Sequence, residues 1–247
     1  MKPLDLLRPC LRALLAVGAL AAASTASHAG VTGSGTLRTE TRAVSGFQAV
    51  ALQGSMTLRL RQGTREGLEL RGDDNILPLV EARVVDRHGT LTLELGIKNA
   101  TGYSTKHEIV ATVDLITLRA LSIKGSGDAS MDALNSPTLA LASSGSGDIR
   151  IRQLSVGELS ANVAGSGDLD LAGRTGKLSV SISGSGDANT RALEADDVSV
   201  SIAGSGDASV TARKTLAVSI AGAGEVRYAG EAVVKSAIAG RGRVTKQ

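Results

Sequence analysis

The chain is poor in the side chains that carry most catalytic and metal-binding chemistry. It has one cysteine, Cys10, and three histidines. Cys10 lies in a segment that we expect to be removed, which excludes disulfides and cysteine-bound zinc or iron–sulfur sites from the mature chain. His88 and His107 are too few for a convincing zinc site, and no serine lies in a nucleophile-elbow motif. We therefore predict no enzymatic activity and no cofactor.

Aromatic residues are also scarce, since Phe47, Tyr103 and Tyr228 are the only three. The formal net charge is +3, and the first 29 residues carry three basic residues and one aspartate, which leaves +1 for the rest. Nucleic-acid-binding proteins usually combine a basic surface with aromatic rings that stack on bases. The composition therefore gives no reason to expect a nucleic-acid partner.

The N-terminus has the order of a secretory signal peptide, with basic residues, an apolar run at 13–23 and then small residues. The basic residues are Lys2, Arg8 and Arg12. The apolar run is about half of the roughly 20 residues that a membrane-spanning helix needs. We predict a signal peptide at 1–29, cleaved after Ala29 or alternatively after Ala26, and no transmembrane span in the mature chain. The mature protein is then expected in the periplasm, on the outer-membrane surface or outside the cell.

Glycine is abundant, with 30 residues, and many of them belong to a repeat. The tetrapeptide Gly-Ser-Gly-Asp occurs five times, and two degenerate copies begin at Gly222 and Gly240. Successive copies begin 20, 20, 19, 20, 18 and 18 residues apart. The repeat predicts structural corners at which glycine permits positive φ angles and close approach of neighbouring coils. The corner glycines of the five full copies are Gly125, Gly127, Gly145, Gly147, Gly165, Gly167, Gly184, Gly186, Gly204 and Gly206.

Apolar residues alternate with serines before each corner, as in Leu178, Val180 and Ile182. Period-two alternation places such side chains on one face of a strand. Two short strands with one apolar face cannot exclude water alone, so each unit must stack on its neighbours. Twenty residues suit one circuit of three short strands and three corners. The sequence therefore predicts an all-β solenoid of about seven coils, built from repeats of about 20 residues.

The N-terminal part is less regular, and we expect residues 30–118 to form irregular β coils or a cap. Residues 119–247 would form the repeat, and 30–247 would be one continuous domain. Solenoid ends expose unpaired strand edges, which proteins usually cap or protect with charge. Basic residues near the C-terminal end would discourage edge-to-edge growth there. They are Lys235, Arg241, Arg243 and Lys246.

The pattern resembles the "putative autotransporter adhesin head (GIN) domain" family of bacterial exported proteins. The resemblance covers nearly all of the mature chain and depends mainly on the serial Gly-Ser-Gly-Asp corners. It also includes the segments 47–52, 72–75 and 226–230. It implies a fold similar to right-handed β-helices and an adhesin-like role. The chain departs from the family pattern at Glu231, where proline is expected after Gly230.

One aspartate follows each full corner, and stacking would align the five carboxylates. They are Asp128, Asp148, Asp168, Asp187 and Asp207. Stacked carboxylates about 5 Å apart would repel each other and attract a cation such as calcium. The favoured interpretation is that each aspartate accepts hydrogen bonds from its own glycine-rich corner, as aspartate does in turns. No metal site is therefore predicted.

Three functional hypotheses remain open from the sequence. The leading one is a surface or envelope β-solenoid that binds a polysaccharide or a protein through a face lined by serine and aspartate. The segment 98–107 is interpreted as a flexible surface loop, or alternatively as a contact loop with Tyr103 as its anchor. The other two hypotheses are a carbohydrate-active β-helix enzyme and a purely structural envelope component.

Overall fold

The computed structural model describes residues 30–98 and 102–247, so the predicted signal peptide lies outside the described residues. The chain forms a β-solenoid of about six turns, one fewer than the seven corner motifs suggest. The strands are β1 (Val31–Thr32), β2 (Leu37–Arg42), β3 (Ala49–Gly54), β4 (Thr57–Gln62), β5 (Gly67–Asp73), β6 (Val80–Arg87), β7 (Thr90–Ile97), β8 (Tyr103–Ser104), β9 (Val110–Leu115), β10 (Ala120–Gly125), β11 (Ala129–Gly145), β12 (Ile149–Gly165), β13 (Leu169–Gly184), β14 (Ala188–Gly204), β15 (Ala208–Gly222), β16 (Glu225–Ala229), β17 (Val233–Gly240) and β18 (Arg243–Lys246). A short 3-10 helix spans Leu77–Leu79.

A single coil has three inward-facing segments, as β12 shows. Its inward-facing residues are Ile149 and Ile151, then Leu154 and Val156, and finally Leu159, Ala161 and Val163. At 152–153 and 157–158 two consecutive residues face solvent, which turns the strand through a corner. The Gly-Ser-Gly-Asp segment forms the third corner. The predicted circuit of three strands and three corners is therefore present in this coil.

Neighbouring coils pair in parallel from β10 to β15, and the last strand segment before each glycine corner pairs in register throughout. Leu159, for example, pairs with Leu139 in the coil before it and with Leu178 in the coil after it. Like residues thereby stack into ladders, and the interior is one hydrophobic cluster that runs from Phe47 to Val226. Strands about 4.8 Å apart give six turns a height of roughly 30 Å. The handedness of the coil stays a prediction.

The shorter repeats lose their residue at a corner, and the strand segment before the next glycine corner stays in register. The coil of β13 lacks one residue relative to β12, and the register shifts between Ile151 and Leu154. Gly173 then pairs with Leu154 at a φ of 128°. A Cβ at Gly173 would lie only 2.2 Å from the carbonyl oxygen of Leu154, so this shortened corner requires glycine.

The N-terminal part combines a first coil with antiparallel strands that close the column. β3 pairs in parallel with β10, and β4 pairs in parallel with β11, which places them in the first coil. β6 and β7 form an antiparallel hairpin that turns at His88 and Gly89, and β7 extends the sheet beyond β3. β2, β5 and β9 form the other antiparallel group. Phe47 and Leu77 are fully buried beneath this cap.

The C-terminal end has a different construction. β17 pairs with β15 and β18 pairs with β16, both in parallel, and they are the outermost strands at this end. Val233 and Ile238 are among the exposed large hydrophobic residues. In the described part of the chain, no helix is long and apolar enough to cross a membrane.

Candidate binding face

The corner glycines lie in a column where consecutive coils come into close backbone contact. The first glycine of each motif has positive φ, for example 131° at Gly145. The second glycine faces the carbonyl oxygen of its counterpart one coil earlier. A Cβ at Gly167 would lie 2.2 Å from the carbonyl oxygen of Gly147. Both glycines therefore meet a backbone requirement, and neither offers a surface for a ligand.

The five aspartates form a hydrogen-bonded ladder between coils. Asp187 N–H donates to Oδ1 of Asp168 at 2.9 Å, and Asp168 N–H donates to Oδ1 of Asp148 at 2.9 Å. The same bond joins the remaining steps, and Glu225 N–H donates to Oδ1 of Asp207 at 2.8 Å. The interpretation that each aspartate accepts from its own corner is therefore wrong, because the donor belongs to the following coil. The spacing of the repeat predicted that the five aspartates would align. It did not show which coil donates each hydrogen bond, because that depends on backbone geometry.

One oxygen of each ladder carboxylate thus accepts a hydrogen bond from the backbone of the next coil. Within the two described ranges, no group of three or more histidine, cysteine, aspartate or glutamate residues could hold a metal ion. The calcium hypothesis for Asp128, Asp148, Asp168, Asp187 and Asp207 gains no support from this geometry.

One side of the column is flat and nearly free of charge. We define the flat face as the outward residues of β10, of the last segments of β11 to β15, and of β17. Its three rows, joined by parallel pairing, are Ala120, Ala140, Ser160, Ser179, Ser199, Ala217 and Lys235; Ser122, Ala142, Asn162, Ser181, Ser201, Ser219 and Ala237; and Lys124, Ser144, Ala164, Ser183, Ala203, Ala221 and Ala239. Eighteen of these 21 positions are alanine or serine, and none is buried. The flat face is roughly 30 Å high and 15 Å wide.

The flat face is bordered by a shallow groove and differs from the rest of the surface. The groove has a volume of about 500 Å³ and includes Glu158, Lys177 and Asp197 at its rim. On the side formed by the strand segments after the Asp ladder, charged residues pair across coils instead. Arg150 Nε, for example, lies 3.2 Å from Oδ2 of Asp170. The ladder aspartates lie at the corner between these two sides, so the flat face itself is lined by serine and alanine rather than by serine and aspartate.

A buried carboxylate holds the N-terminal segment against the cap. Asp73, at the end of β5, has no exposed surface. Its Oδ1 accepts from Nδ1 of His107 at 2.8 Å, and its Oδ2 accepts from Lys106 N–H at 2.8 Å. Gly35 N–H also donates to Oδ1 at 3.2 Å. These bonds join three chain segments that are distant in sequence.

The surroundings of Asp73 change its ionisation. The hydrogen bond from His107 lowers the pKa of Asp73 to about 2, burial opposes this shift, and the N–H groups of Lys106 and His107 reinforce it. Ser34, in the segment before β2, donates hydrogen bonds to the side chains of Asp74 and Asn75. We call Asp73, Asp74 and Asn75, with their partners, the Asp73 clamp. The sequence identified 72–75 only as part of a family resemblance, and its structural role was missed.

A second carboxylate lies in the hairpin of β6 and β7. Glu94 is largely buried, and it accepts hydrogen bonds from Nε of Arg83 at 3.1 Å and from Nε of Arg87 at 2.8 Å. The bond from Arg87 is the main reason that the pKa of Glu94 is lowered, and Arg83 adds to it. The charge of Glu94 is thus compensated by two arginines at the edge of the cap, beside β3.

The remaining predicted candidates lie apart from one another. His88 occupies the hairpin turn with a φ of 55°, whereas His107 is bound to Asp73. Within the described ranges neither histidine is hydrogen-bonded to a serine hydroxyl. Tyr103 is half-buried, and its hydroxyl lies 3.1 Å from Oγ of Ser55, so the side chain packs on its own protein. Residues 99–101 of that predicted loop lie outside the described residues.

Comparison with known proteins agrees with this architecture. Residues 46–232 match the family described as "Putative auto-transporter adhesin, head GIN domain". The chain belongs to this family. Among curated proteins, none matches the chain in sequence.

Several solved structures have the same fold as this GIN-domain protein. A putative adhesin from Bacteroides fragilis NCTC 9343 is 26% identical, with a TM-score of 0.83 over 88% of this chain and 100% of that chain. A putative lipid binding protein from Parabacteroides distasonis ATCC 8503 is 22% identical, with a TM-score of 0.72 over 88% and 99%. A putative adhesin from Parabacteroides merdae ATCC 43184 is 22% identical, with a TM-score of 0.67 over 88% and 99%. None of these descriptions names an enzymatic activity.

Proposed function

We propose that the protein is an exported, adhesin-like module that binds an extended polysaccharide or protein through the flat face, without catalysis. The observation that carries the proposal is the surface of mainly alanine and serine, 18 of 21 positions, which repeats with the coil spacing over seven strands. Membership of the adhesin head family supports the same role. The predicted signal peptide at 1–29 supports export.

The physical properties of the flat face suit a repetitive ligand. Alanine loses no side-chain rotamer entropy on burial, and a short serine side chain loses little, so a partner can order this surface at small cost. Serine hydroxyls both donate and accept hydrogen bonds. In two of the three rows they recur about every 4.8 Å over three consecutive coils. A polymer with a matching period could therefore make the same contact several times.

The binding experiment uses residues 30–247 and measures their retention on intact bacterial cells and on immobilised envelope polysaccharides. Asn162 lies in the middle row of the flat face, whereas Asn189 is exposed on the charged side of the column. We expect Asn162→Arg to reduce retention at least tenfold, because the long charged side chain prevents close approach. Asn189→Arg is the matched control and should bind as the wild type does.

The outcome separates this proposal from the two other hypotheses. Lack of retention on every cell type and polysaccharide would favour a purely structural envelope component. Equal losses from Asn162→Arg and Asn189→Arg would show that the flat face is not the contact surface. A cleavage activity that is lost in Asp168→Asn while the melting temperature is unchanged would show an enzyme. Export is tested separately, by finding Gly30 at the N-terminus of the protein recovered outside the cytoplasm.

A further inference from the structure

The C-terminal coil leaves two strand edges open. β17 pairs only with β15, and β18 pairs only with β16. Within the described residues, no strand lies beyond either of them. An edge strand presents a row of unpaired N–H and C=O groups that can pair with another extended chain.

The inward side of this coil is also uncovered. Val234, Ser236 and Ile238 continue the interior ladders above Leu216, Val218 and Ile220. The three residues of the coil below are at most 4% exposed, whereas Ile238 is 44% exposed and the neighbouring Val233 is 68% exposed. At the opposite end, the cap buries Phe47 and Leu77 almost completely. The apolar ladder at the C-terminal end therefore lacks the next layer that every internal coil has.

The charge of the open coil indicates which kind of chain would supply that layer. Residues 233–247 contain four basic residues and no acidic residue. Lys246 lies 3.1 Å from Glu231, and Arg243 lies 3.7 Å from Glu225. Within the described ranges, Lys235 and Arg241 make no ion pair. The coil therefore has a positive charge next to its exposed apolar row.

In this last coil, the ladder position of the corner motif carries a hydrogen-bond donor in place of an acceptor. Arg243 occupies the ladder position that Asp207 and Glu225 hold in the two coils below, and Arg241 occupies the serine position. In the internal coils, the ladder carboxylate accepts a bond from the next coil. Arginine has only donors, so it cannot do the same. A strand added here must therefore supply hydrogen-bond acceptors, and carboxylates are the acceptors that fit an arginine best.

We propose that the open C-terminal coil binds an extended acidic segment of a partner polypeptide as an added β-strand. Its backbone pairs with β17, its apolar side chains cover Val234 and Ile238, and its carboxylates bind Arg241 and Arg243. A second copy through the same end is disfavoured, because two basic coils would face each other. A lipid bilayer is also disfavoured, because open strand edges are not satisfied in hydrocarbon. This inference does not depend on the flat face.

The test measures fluorescence anisotropy of a short labelled peptide in which valine alternates with glutamate, titrated with residues 30–247. We expect saturable binding that weakens as salt rises, and at least a tenfold loss of affinity in Arg241→Glu/Arg243→Glu. Arg152→Glu is the control, because Arg152 is an exposed arginine of an internal coil. A peptide in which lysine replaces glutamate should not bind. Failure of the acidic peptide to bind would overturn the proposal.

Other outcomes distinguish the other possible partners. Equal binding of the lysine and glutamate peptides, or an equal loss in Arg152→Glu, would also contradict the proposal. Two further measurements complete the experiment. They are binding of the protein to phosphatidylglycerol vesicles and analytical ultracentrifugation of the protein alone. Vesicle binding that Arg241→Glu/Arg243→Glu abolishes, without peptide binding, would identify a membrane contact. Self-association that Ile238→Lys abolishes would identify a second copy. Thermal unfolding of each variant confirms that it remains folded.

Discussion

A single added Cβ atom is enough to exclude a residue from some corner positions, as Gly167 shows. Its position is buried, and a Cβ there would lie 2.2 Å from the Gly147 carbonyl oxygen. Gly167→Ala must therefore separate two coils or distort the corner. We expect a loss of about 1–3 kcal/mol in the free energy of unfolding, measured by urea denaturation. Gly63→Ala is the control, since a Cβ at Gly63 meets nothing within 4 Å. Equal effects of both substitutions would contradict the steric explanation.

The lowered pKa of Asp73 predicts that the stability of the protein depends on pH. This pKa is about 2 in the folded protein, against 3.8 for an unperturbed aspartate, so the folded state favours the charged form. The stabilisation is fully present above about pH 4 and is lost as pH falls through 2. Asp73→Asn should lower the urea midpoint at pH 7, and its difference from the wild type should shrink between pH 4 and pH 2.

The control for this experiment is Asp132→Asn, because the Asp132 side chain is 93% exposed. It should lower the midpoint little at any pH. A difference between wild type and Asp73→Asn that stays constant from pH 7 to pH 2 would exclude the assigned role of the charged carboxylate.

The sequence predicts the corner glycines but not the Asp73 clamp, and the reason is physical. Each corner repeats a local requirement of the backbone, so it leaves a periodic pattern. Asp73 instead joins His107 and Gly35, which are 34 and 38 residues away, through an antiparallel cap that has no repeat. A run of acidic and amide residues at the end of a strand, at 73–75, was the available signal.

Between coils, the aspartate ladder adds one side-chain bond to each step. Asp168→Ala removes the acceptor for Asp187 N–H, and we expect a loss of about 1 kcal/mol in the free energy of unfolding. Asp168→Asn keeps an acceptor oxygen and relieves repulsion along the ladder. Its stability should therefore equal or exceed that of the wild type at low salt. A loss in Asp168→Asn as large as in Asp168→Ala would contradict the ladder bond.

Whole coils should be removable without loss of the fold. Deletion of 145–164 joins Ser144 to Gly165 and lets β13 pair with β11 in the register that it has with β12, because Leu134 and Leu154 are equivalent, as are Leu139 and Leu159. We expect cooperative urea unfolding with an m-value lower by roughly one sixth, since one of about six turns is lost.

Deletion of only 145–154 is the matched comparison, because it removes half a coil and disrupts the ladders. This variant should not unfold cooperatively. If both deletions unfolded alike, the twenty-residue coil would not be the structural unit.

The repeated elements were predictable to a greater extent than the cap. Alternation in residues such as Val198, Val200 and Ile202 identifies the inward face, and all three are buried. The antiparallel pairing of β2 with β5 and of β6 with β7 leaves no period in the sequence, so 30–118 could be described only as irregular coils or a cap. Pairing between distant strands depends on tertiary contacts that a local pattern does not record.

Over the whole molecule, the two ends of the column differ. The N-terminal end is closed by antiparallel strands and a buried carboxylate, and the C-terminal end exposes Val233, Ile238 and a strand edge. The long flat face lies between them. A solenoid of this kind can present one repetitive surface along its side and a different surface at its open end.

Amide hydrogen exchange, resolved along the chain by mass spectrometry, tests most directly whether the stacked coils enclose a continuous dry interior. Slow exchange reports backbone groups that open only on global unfolding. The account predicts one uniformly protected block from β10 to β15, and rapid exchange in β17 and β18. Rapid exchange in the central coils, or protection of β17 equal to that of β13, would contradict it.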